Sequence, residues 1–391
     1  MKRALGSASI LAAIAGGACA GGLDRTGQPI GALFEEGGAN GAYVELSFAH
    51  TSPDITGTGD GISVATPIGP VDVLSSGFGY NGVGDDFWTF GAAVKMQLTE
   101  ALSAAVIFDQ PYGTDIAYNG SATATELGGT RAFAETNAVT GLLRYAFDPR
   151  WSVHGGIRIE AAEGSIGLEG VAYGPFNGYD VDLERDTSLG YSLGYAYEIP
   201  ELALRVALTY NSKISHDMKT TENGLGAFGL PGDLKTTTEV ETPQSINLDM
   251  QTGIAANTLL FGSVRWVDWS EFKIDPKYFI GTAREGLVDL DDATTYEIGL
   301  AREFTDVWAG SVAVLYEPGE DDVVSPLSPT NGFWAVALGT AYEIGDVTVS
   351  GGARYMWLGD AKPETGTPDV IRAEFENNTA FTLGMRIAYN F

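Results

Sequence analysis

The sequence predicts an all-β protein: a 14-stranded antiparallel transmembrane β-barrel with a short N-terminal plug. Two-residue periodicity is the first reason. Segment after segment sets large apolar residues at alternate positions, with small or polar ones between them. Alternate side chains of a strand point to opposite faces. The second reason is that short turns and long polar connections take turns along the chain. The third is that, past the first twenty residues, no apolar run approaches the ~20 residues a membrane helix needs. The chain is therefore either soluble or crosses a bilayer as strands. Its composition of 52 Gly, 17 Tyr and 18 Phe among 391 residues favours strands, and amphipathic helical patterns are few.

Residues 1–20 read as a secretory signal peptide. Lys2 and Arg3 begin it, Ala4 to Ala15 is a short apolar core, and Ala18-Cys19-Ala20 fits the A-x-A cleavage pattern. The mature chain then begins at Gly21. The competing assignment, a lipoprotein acylated at Cys19, needs an aliphatic residue where Gly16 stands. Residues 21–40 precede the first strand and form the candidate hatch or plug, and residues 41–391 form the barrel. The hatch starts at the periplasmic mouth and can fold back inside.

The strands follow by their apolar faces. Val44, Leu46 and Phe48 mark the first. Trp88 to Leu98 and Leu102 to Phe108 mark the second and third. Val139 to Phe147, Trp151 to Ile159 and Leu189 to Tyr197 come next. Leu204 to Tyr210, Ile246 to Ile254 and a mixed segment from Leu259 to Trp269 continue the set. Tyr296 to Leu300, Trp308 to Tyr316, Trp334 to Ile344, Val347 to Trp357 and the terminal Phe381 to Phe391 complete it. The hairpin turns lie at 98–101, 147–150, 199–201, 255–257, 304–306 and 344–346, several with Asp or Pro. The long polar connections lie near 53–86, 113–131, 165–186, 212–240, 273–293, 318–331 and 359–372. An even strand number, short turns on one side and long loops on the other is the bacterial outer-membrane pattern. The short turns and the C-terminus then lie on the periplasmic side.

The opposite faces carry Gly, Ser, Thr and Asn, and most of the strand cations: Lys95, Arg144, Arg158, Arg205, Arg354 and Arg386. A soluble sandwich buries that face dry and does not place so many cations on it in phase. Trp151, Tyr197, Trp308, Tyr342, Trp357 and Tyr389 sit near segment ends, where interfacial girdles fall.

The last eleven residues hold large apolar groups at every odd position and end in Tyr389-Asn390-Phe391. This resembles the C-terminal signature of bacterial outer-membrane barrels, whose aromatic end is read by the barrel-assembly machinery. Other stretches carry a more specific likeness. They are Asp109-Gln110-Pro111-Tyr112-Gly113, Thr242-Pro243-Gln244-Ser245-Ile246-Asn247, Arg265 to Phe272, Tyr296 to Leu300, and Leu327 to Phe333. In this order they resemble the FadL/TodX-type outer-membrane transporters of long-chain fatty acids and other hydrophobic compounds, over essentially the whole mature chain. The resemblance implies fourteen strands, an N-terminal hatch and a lateral exit beside a kinked third strand. The hatch stretch carries Gly37-Gly38-Ala39-Asn40-Gly41 in place of the family's Asn-Pro-Ala element.

Asp109, Gln110 and Pro111 are the candidate lateral gate, because proline cannot donate to the ladder; the alternative is that Pro111 merely ends the strand. Arg158 and Arg205 lie mid-strand and are candidates to meet a ligand carboxylate. The competing assignment, which the cost of unpaired buried charge favours, is a structural network with Glu45, Glu160 and Asp249. Ile30, Leu33 and Phe34 either contact an apolar ligand or seal the plug.

Several classes of function are disfavoured. The net charge is −29, and loss of Lys2 and Arg3 makes it more negative still. Nothing is available to neutralise a run of phosphates, so nucleic acid is not a partner. Cys19 is the only cysteine; disulfides and thiolate chemistry are not expected. The acid clusters Asp289-Asp291-Asp292 and Glu320-Asp321-Asp322 have oxygens suited to Ca²⁺ but no EF-hand spacing, and read as solvated loops. His50, His154 and His216 lack zinc spacing. No G-x-S-x-G element or paired nucleophile and base is found. Neither cofactor, metal nor enzymatic activity is expected. The expectation is passive uptake of a hydrophobic small molecule, such as a long-chain fatty acid or aromatic hydrocarbon, by a monomer in outer-membrane lipid, with lateral release. The alternatives are a general aqueous porin and a surface adhesin or scaffold barrel.

Overall fold

A computed structural model describes residues 23–67, 69–319, 323–366 and 370–391. The signal peptide, Gly21 and the Glu320-Asp321-Asp322 cluster lie outside the described residues.

Alternation in the sequence becomes one closed antiparallel sheet. Its strands are β1 (Ala42–Asp54), β2 (Phe87–Gln97), β3 (Leu102–Asp109), β4 (Arg131–Ala146), β5 (Trp151–Leu168), β6 (Tyr179–Ile199) and β7 (Leu204–Asn211). The second half is β8 (Ser245–Ala255), β9 (Thr258–Val267), β10 (Ala293–Thr305), β11 (Trp308–Glu317), β12 (Phe333–Ile344), β13 (Val347–Leu358) and β14 (Thr379–Asn390). The sheet counts 17 segments, and three of them (Gly113–Ala117, Ile214–Asn223 and Leu234–Thr242) prolong strands beyond a break, which leaves fourteen. Each strand pairs with its sequence neighbour. The last closes on the first from Tyr43–Asn390 to Asp54–Thr379, so the sheet has no free edge.

The pleat sorts side chains as the periodicity predicts. Leu46, Ile157, Leu189, Ile298, Leu338 and Leu383 project outward and are exposed. Such a belt of aliphatics is stable only against hydrocarbon. The inward positions of the same strands carry Lys95, Arg158, Glu160, Ser192, Thr209, Arg354 and Arg386, all buried. On β9 the inward side chains are Leu259, Phe261 and Arg265, which explains the mixed pattern there. That strand stops at Val267, because Trp269 belongs to a 3₁₀ turn and points inward.

The long connections differ from the open polar loops expected of their composition. Ile214–Asn223 and Leu234–Thr242 form a hairpin, Lys277–Ala283 is a helix (α1), and Gly57–Gly59 pairs with both Gly79–Tyr80 and Ala373–Phe375. β4, β5 and β6 run 16, 18 and 21 residues, longer than the ~9–11 needed to span a bilayer. Their upper halves rise past the apolar belt and enclose a core of Tyr80, Leu127, Tyr179, Leu225 and Phe375. Each such side chain stabilises the cap by about 1.5–3 kcal/mol on burial.

The N-terminal segment enters the lumen. Gly31–Phe34 forms a 3₁₀ turn whose Leu33 is fully buried, and Ile30, Ala32 and Leu33 pack on Tyr43, Ala93, Ala105, Ile107, Leu142 and Ala388. Small residues on the inner wall make room for the turn. Asn40 N–H donates to the carbonyl of Phe391 (3.0 Å), and Phe391 N–H to that of Ala42 (3.0 Å), tying both chain ends to the short-turn rim.

Candidate functional site

Between β2 and β3 the wall is interrupted, and the cause is local. β2 and β3 pair from Gln97–Ser103 up to Ala92–Phe108. Their contact resumes at Asp85, whose N–H donates to Asp115 O (3.0 Å), and at the Gly84–Ile116 bridge, in unchanged register. In between, among the described residues, Phe87–Gly91 and Asp109–Gly113 share no backbone hydrogen bond. The unpaired stretch is about 13 Å tall at ~3.3 Å per residue. Pro111 has no N–H to offer β2. Gln110 closes the lower edge: its side-chain oxygen accepts from Phe90 N–H (2.8 Å) and its amide nitrogen donates to Asn137 (3.1 Å). Toward β4 the strand keeps contact by bulging. Three residues lie between the Asp109–Ala138 and Gly113–Glu135 pairs on one side and two on the other. Thr136 holds the bulge through Tyr112 N–H and O.

The hydrogen-bonding groups that β2 leaves unmet are taken by the N-terminal segment. Gly113 N–H donates to Leu23 O (2.9 Å) and Arg25 N–H to Pro111 O (2.7 Å). Asp24, on the other face, pairs with Arg265 at 2.6 Å, both buried. Arg265 also reaches Gln28 and Asn247.

Beside this window lies an apolar cavity of about 80 Å³. Leu23, Tyr112, Phe133, Ala162, Ile166, Leu183, Met218, Val240, Trp269, Phe272, Val288, Leu290 and Leu327 line it, with Thr114 and Thr136 at the window side. No Lys or Arg is among its lining residues. Above it a cleft of about 1130 Å³ opens among the long loops and shares Leu23, Trp269, Val288, Leu290 and Leu327 with the cavity. Tyr112 crosses the lumen: its ring packs edge-on to Trp269 (5.2 Å) and its hydroxyl donates to Pro243 O (3.3 Å).

Several other inward charges are engaged with one another. Arg158, 3% exposed, reaches Asp109 and Glu160 at 3.3 Å each and donates to Thr140. Glu160 accepts from Thr242 (2.6 Å) and faces His216, whose other nitrogen lies 3.2 Å from Asp186. Arg144 pairs with Glu198, Arg386 with Glu45, and Arg205 donates to Gln251.

The residues singled out from sequence therefore fall in three places. Asp109, Gln110 and Pro111 stand at the window. Arg158 is in the ion network, and Arg205 lies with Arg144 over the Phe34 ring, 4.7 Å from its centroid. Ile30, Leu33 and Phe34 belong to a separate apolar cluster with Tyr43 and Leu142 and do not line the cavity. Tyr389 and Phe391 are exposed at the rim, rings 4.5 Å apart. Asp292 of the 289–292 cluster accepts from Trp266 Nε1 and Ser270 N–H, and among the described residues no group of three or more His, Cys, Asp or Glu can hold a metal. Sequence reasoning missed Leu23, Arg25, the Asp24–Arg265 pair and the cavity-lining loop residues. Their one signal was the Arg265 to Phe272 motif.

A fourteen-stranded barrel with lipid-facing aliphatics, an internal N-terminal segment and an apolar pocket is an outer-membrane transport barrel. Residues 53–391 match the outer membrane protein transport protein family (OMPP1/FadL/TodX), and the chain belongs to it. Solved structures share the fold at low identity. A Pseudomonas aeruginosa FadL homologue superposes with a TM-score of 0.68 at 14% identity, over 92% of this chain and 94% of that one. The P. putida toluene transporter TodX gives 0.61 at 12%, over 97% and 99%. The Ralstonia pickettii toluene transporter TbuX gives 0.58 at 13%, over 92% and 91%. No curated protein matches the sequence.

Proposed function

We propose that this barrel carries neutral hydrophobic molecules passively across the outer membrane, by way of the apolar cavity and out through the β2–β3 window into lipid. The observation that carries the reading is the cavity itself. Its lining is mostly apolar, Glu163 is its one charged residue and no cation lines it; it adjoins the outer cleft on one side, and on the other it reaches Tyr112, Gly113 and Thr114 at the wall break. An apolar solute gains binding energy there that a water-filled pore does not give. A fatty-acid carboxylate finds Lys273 and Arg284 only in the cleft above. Arg158 is already spent on two carboxylates. This favours uncharged cargo, in keeping with the two structural relatives described as toluene transporters.

Size bears on mechanism. An enclosed apolar cavity of roughly 150 Å³ takes up benzene, and this one has about 80 Å³. The walls therefore part when cargo binds. Ala162→Trp, which fills the cavity from β5, should lower toluene uptake into cells by about tenfold or more, while the folded barrel persists. Uptake at the wild-type rate would refute the route. The plug made by Ile30, Leu33 and Phe34 predicts no steady ion conductance in planar bilayers; large open-channel currents would favour an aqueous porin. Phe391 and Tyr389 are read as the assembly signal, and deleting Phe391 should reduce the amount of folded barrel.

A further inference from the structure

Arg25 is an oddity among the cations of this chain. It is 9% exposed, its Nε has no hydrogen-bond partner, and no carboxylate lies within ion-pair distance among the described residues. Its guanidinium instead lies 4.2 Å from the centroid of the Phe87 ring. On its other side is Gly113, where an added Cβ would stand 2.7 Å from the guanidinium carbon. In the register shared by the pairs below and above the break, Phe87 and Gly113 are the residues that face each other across it. The side chain thus occupies the space between the two edges of the opening. Asp115, at the upper edge, and Glu135, on β4, supply opposite charge nearby.

We propose that Arg25 is the stopper of the wall window: cargo leaving for the lipid must first displace its guanidinium from Phe87. This rests on the route proposed above. A charged group is a good seal here because lipid tails will not solvate it, so it stays on the protein side. It is also a releasable one. Cation–π contact is weaker than the double ion pair that fixes Arg158. The backbone bonds of Leu23 and Arg25 to the β3 break keep the side chain aimed at the gap. Leu23, two residues before it, is part of the cavity wall, so cargo that pushes the cavity open acts on the same three-residue segment. Gly113 is required by this arrangement, since any side chain there would evict the guanidinium.

The test uses the full-length protein in cells and in planar bilayers. Uptake of 1-N-phenylnaphthylamine, a neutral dye that fluoresces in membranes, should rise about tenfold for Arg25→Ala, a change of the order of one cation–π contact. Phe87→Leu and Gly113→Ala should do the same. The Arg25→Ala, Phe87→Leu double variant should be no faster than either single, because both remove one contact. Arg25→Lys, which keeps the cation, should return uptake toward the wild-type rate. Ion conductance should stay at the wild-type level in every variant, since the window opens to lipid and not to water. Heat-modifiable migration on gels verifies that equal amounts of folded barrel are compared. Arg25→Ala no faster than wild type, or a dye gain accompanied by new ion currents, would overturn the stopper. Failure of the transport reading is distinct: wild-type cells would then take up no more dye than cells lacking the protein, whatever Arg25→Ala does.

Discussion

Two prolines break this barrel's ladder, and they do so with different results. At Pro111 the neighbouring strand lacks backbone pairing with β3 from Phe87 to Gly91, and a window forms. At Pro243 the outer hairpin leans inward, yet the wall below stays joined. Asp268 N–H donates to Gln244 O (3.1 Å), the Gln244 amide donates to Asp268 (2.7 Å), and Tyr210 donates to Gln244 (2.9 Å). Outside it is a polar niche where Lys213 pairs with Glu241 at 2.7 Å. Both breaks place a glutamine beside the proline. What differs is who answers the freed groups: at Pro243 the adjacent wall strand's own extension, at Pro111 the separate N-terminal segment. A proline shows where pairing stops, and the substitute partner decides whether the stop is a seam or a door. The two sites are also joined across the lumen, by Tyr112 to Pro243 O and by the chain Asp109–Arg158–Glu160–Thr242.

Cutting that chain should have the largest effect. Arg158→Leu leaves Asp109 and Glu160 buried without their cation and should destabilise the barrel by about 3–5 kcal/mol, read as a lower denaturant midpoint. Arg205→Leu, which loses one bond to Gln251 and contact with Phe34, should cost about 1 kcal/mol. Equal losses would mean that Arg158 is not the structural member of the pair. Next in size is the contrast between the prolines. Pro111→Val restores a donor at the window and should slow toluene uptake by about tenfold, without unfolding the barrel. Pro243→Val should leave uptake within about twofold. If both slow it alike, the seam and the door are not different. Gln110→Ala frees Phe90 N–H at the lower edge and should cost about 1 kcal/mol of stability with uptake altered. Gln244→Ala should cost a similar amount with uptake unchanged. The smallest effect belongs to Tyr112→Phe, which removes one bond worth about 0.5–1.5 kcal/mol and spares the ring that lines the cavity.

Much of this was legible in the residues because a barrel strand sees lipid on one side only. Leu46, Phe48, Ile157 and Leu383 are outward because nothing else would solvate them, and their period shows it. Pro111 and its polar neighbours were visible as a weak point by the same logic. Alternation says nothing, however, about contacts distant in sequence. Asp24 and Arg265 are 241 residues apart, and neither is unusual alone. Arg25 sits in a stretch without period, so its place between Phe87 and Gly113 had no signature. The loop cap was hidden for a related reason: Tyr80, Leu127 and Phe375 are single apolar residues in Gly- and Thr-rich stretches, and they become a core only when three loops converge. Ile30, Leu33 and Phe34 were recognisable as an apolar patch, but their separation from the cavity was not.

The central claim is that cargo leaves through the wall between β2 and β3. The most direct measurement is toluene uptake by the Thr89→Cys, Pro111→Cys variant, whose two cysteines face each other across the window in the register of the flanking pairs. Oxidised, the disulfide should bring uptake down to that of cells lacking the protein, and reduction should return it to the rate of the Pro111→Cys single variant. Uptake that is the same in the oxidised and reduced forms would contradict the account.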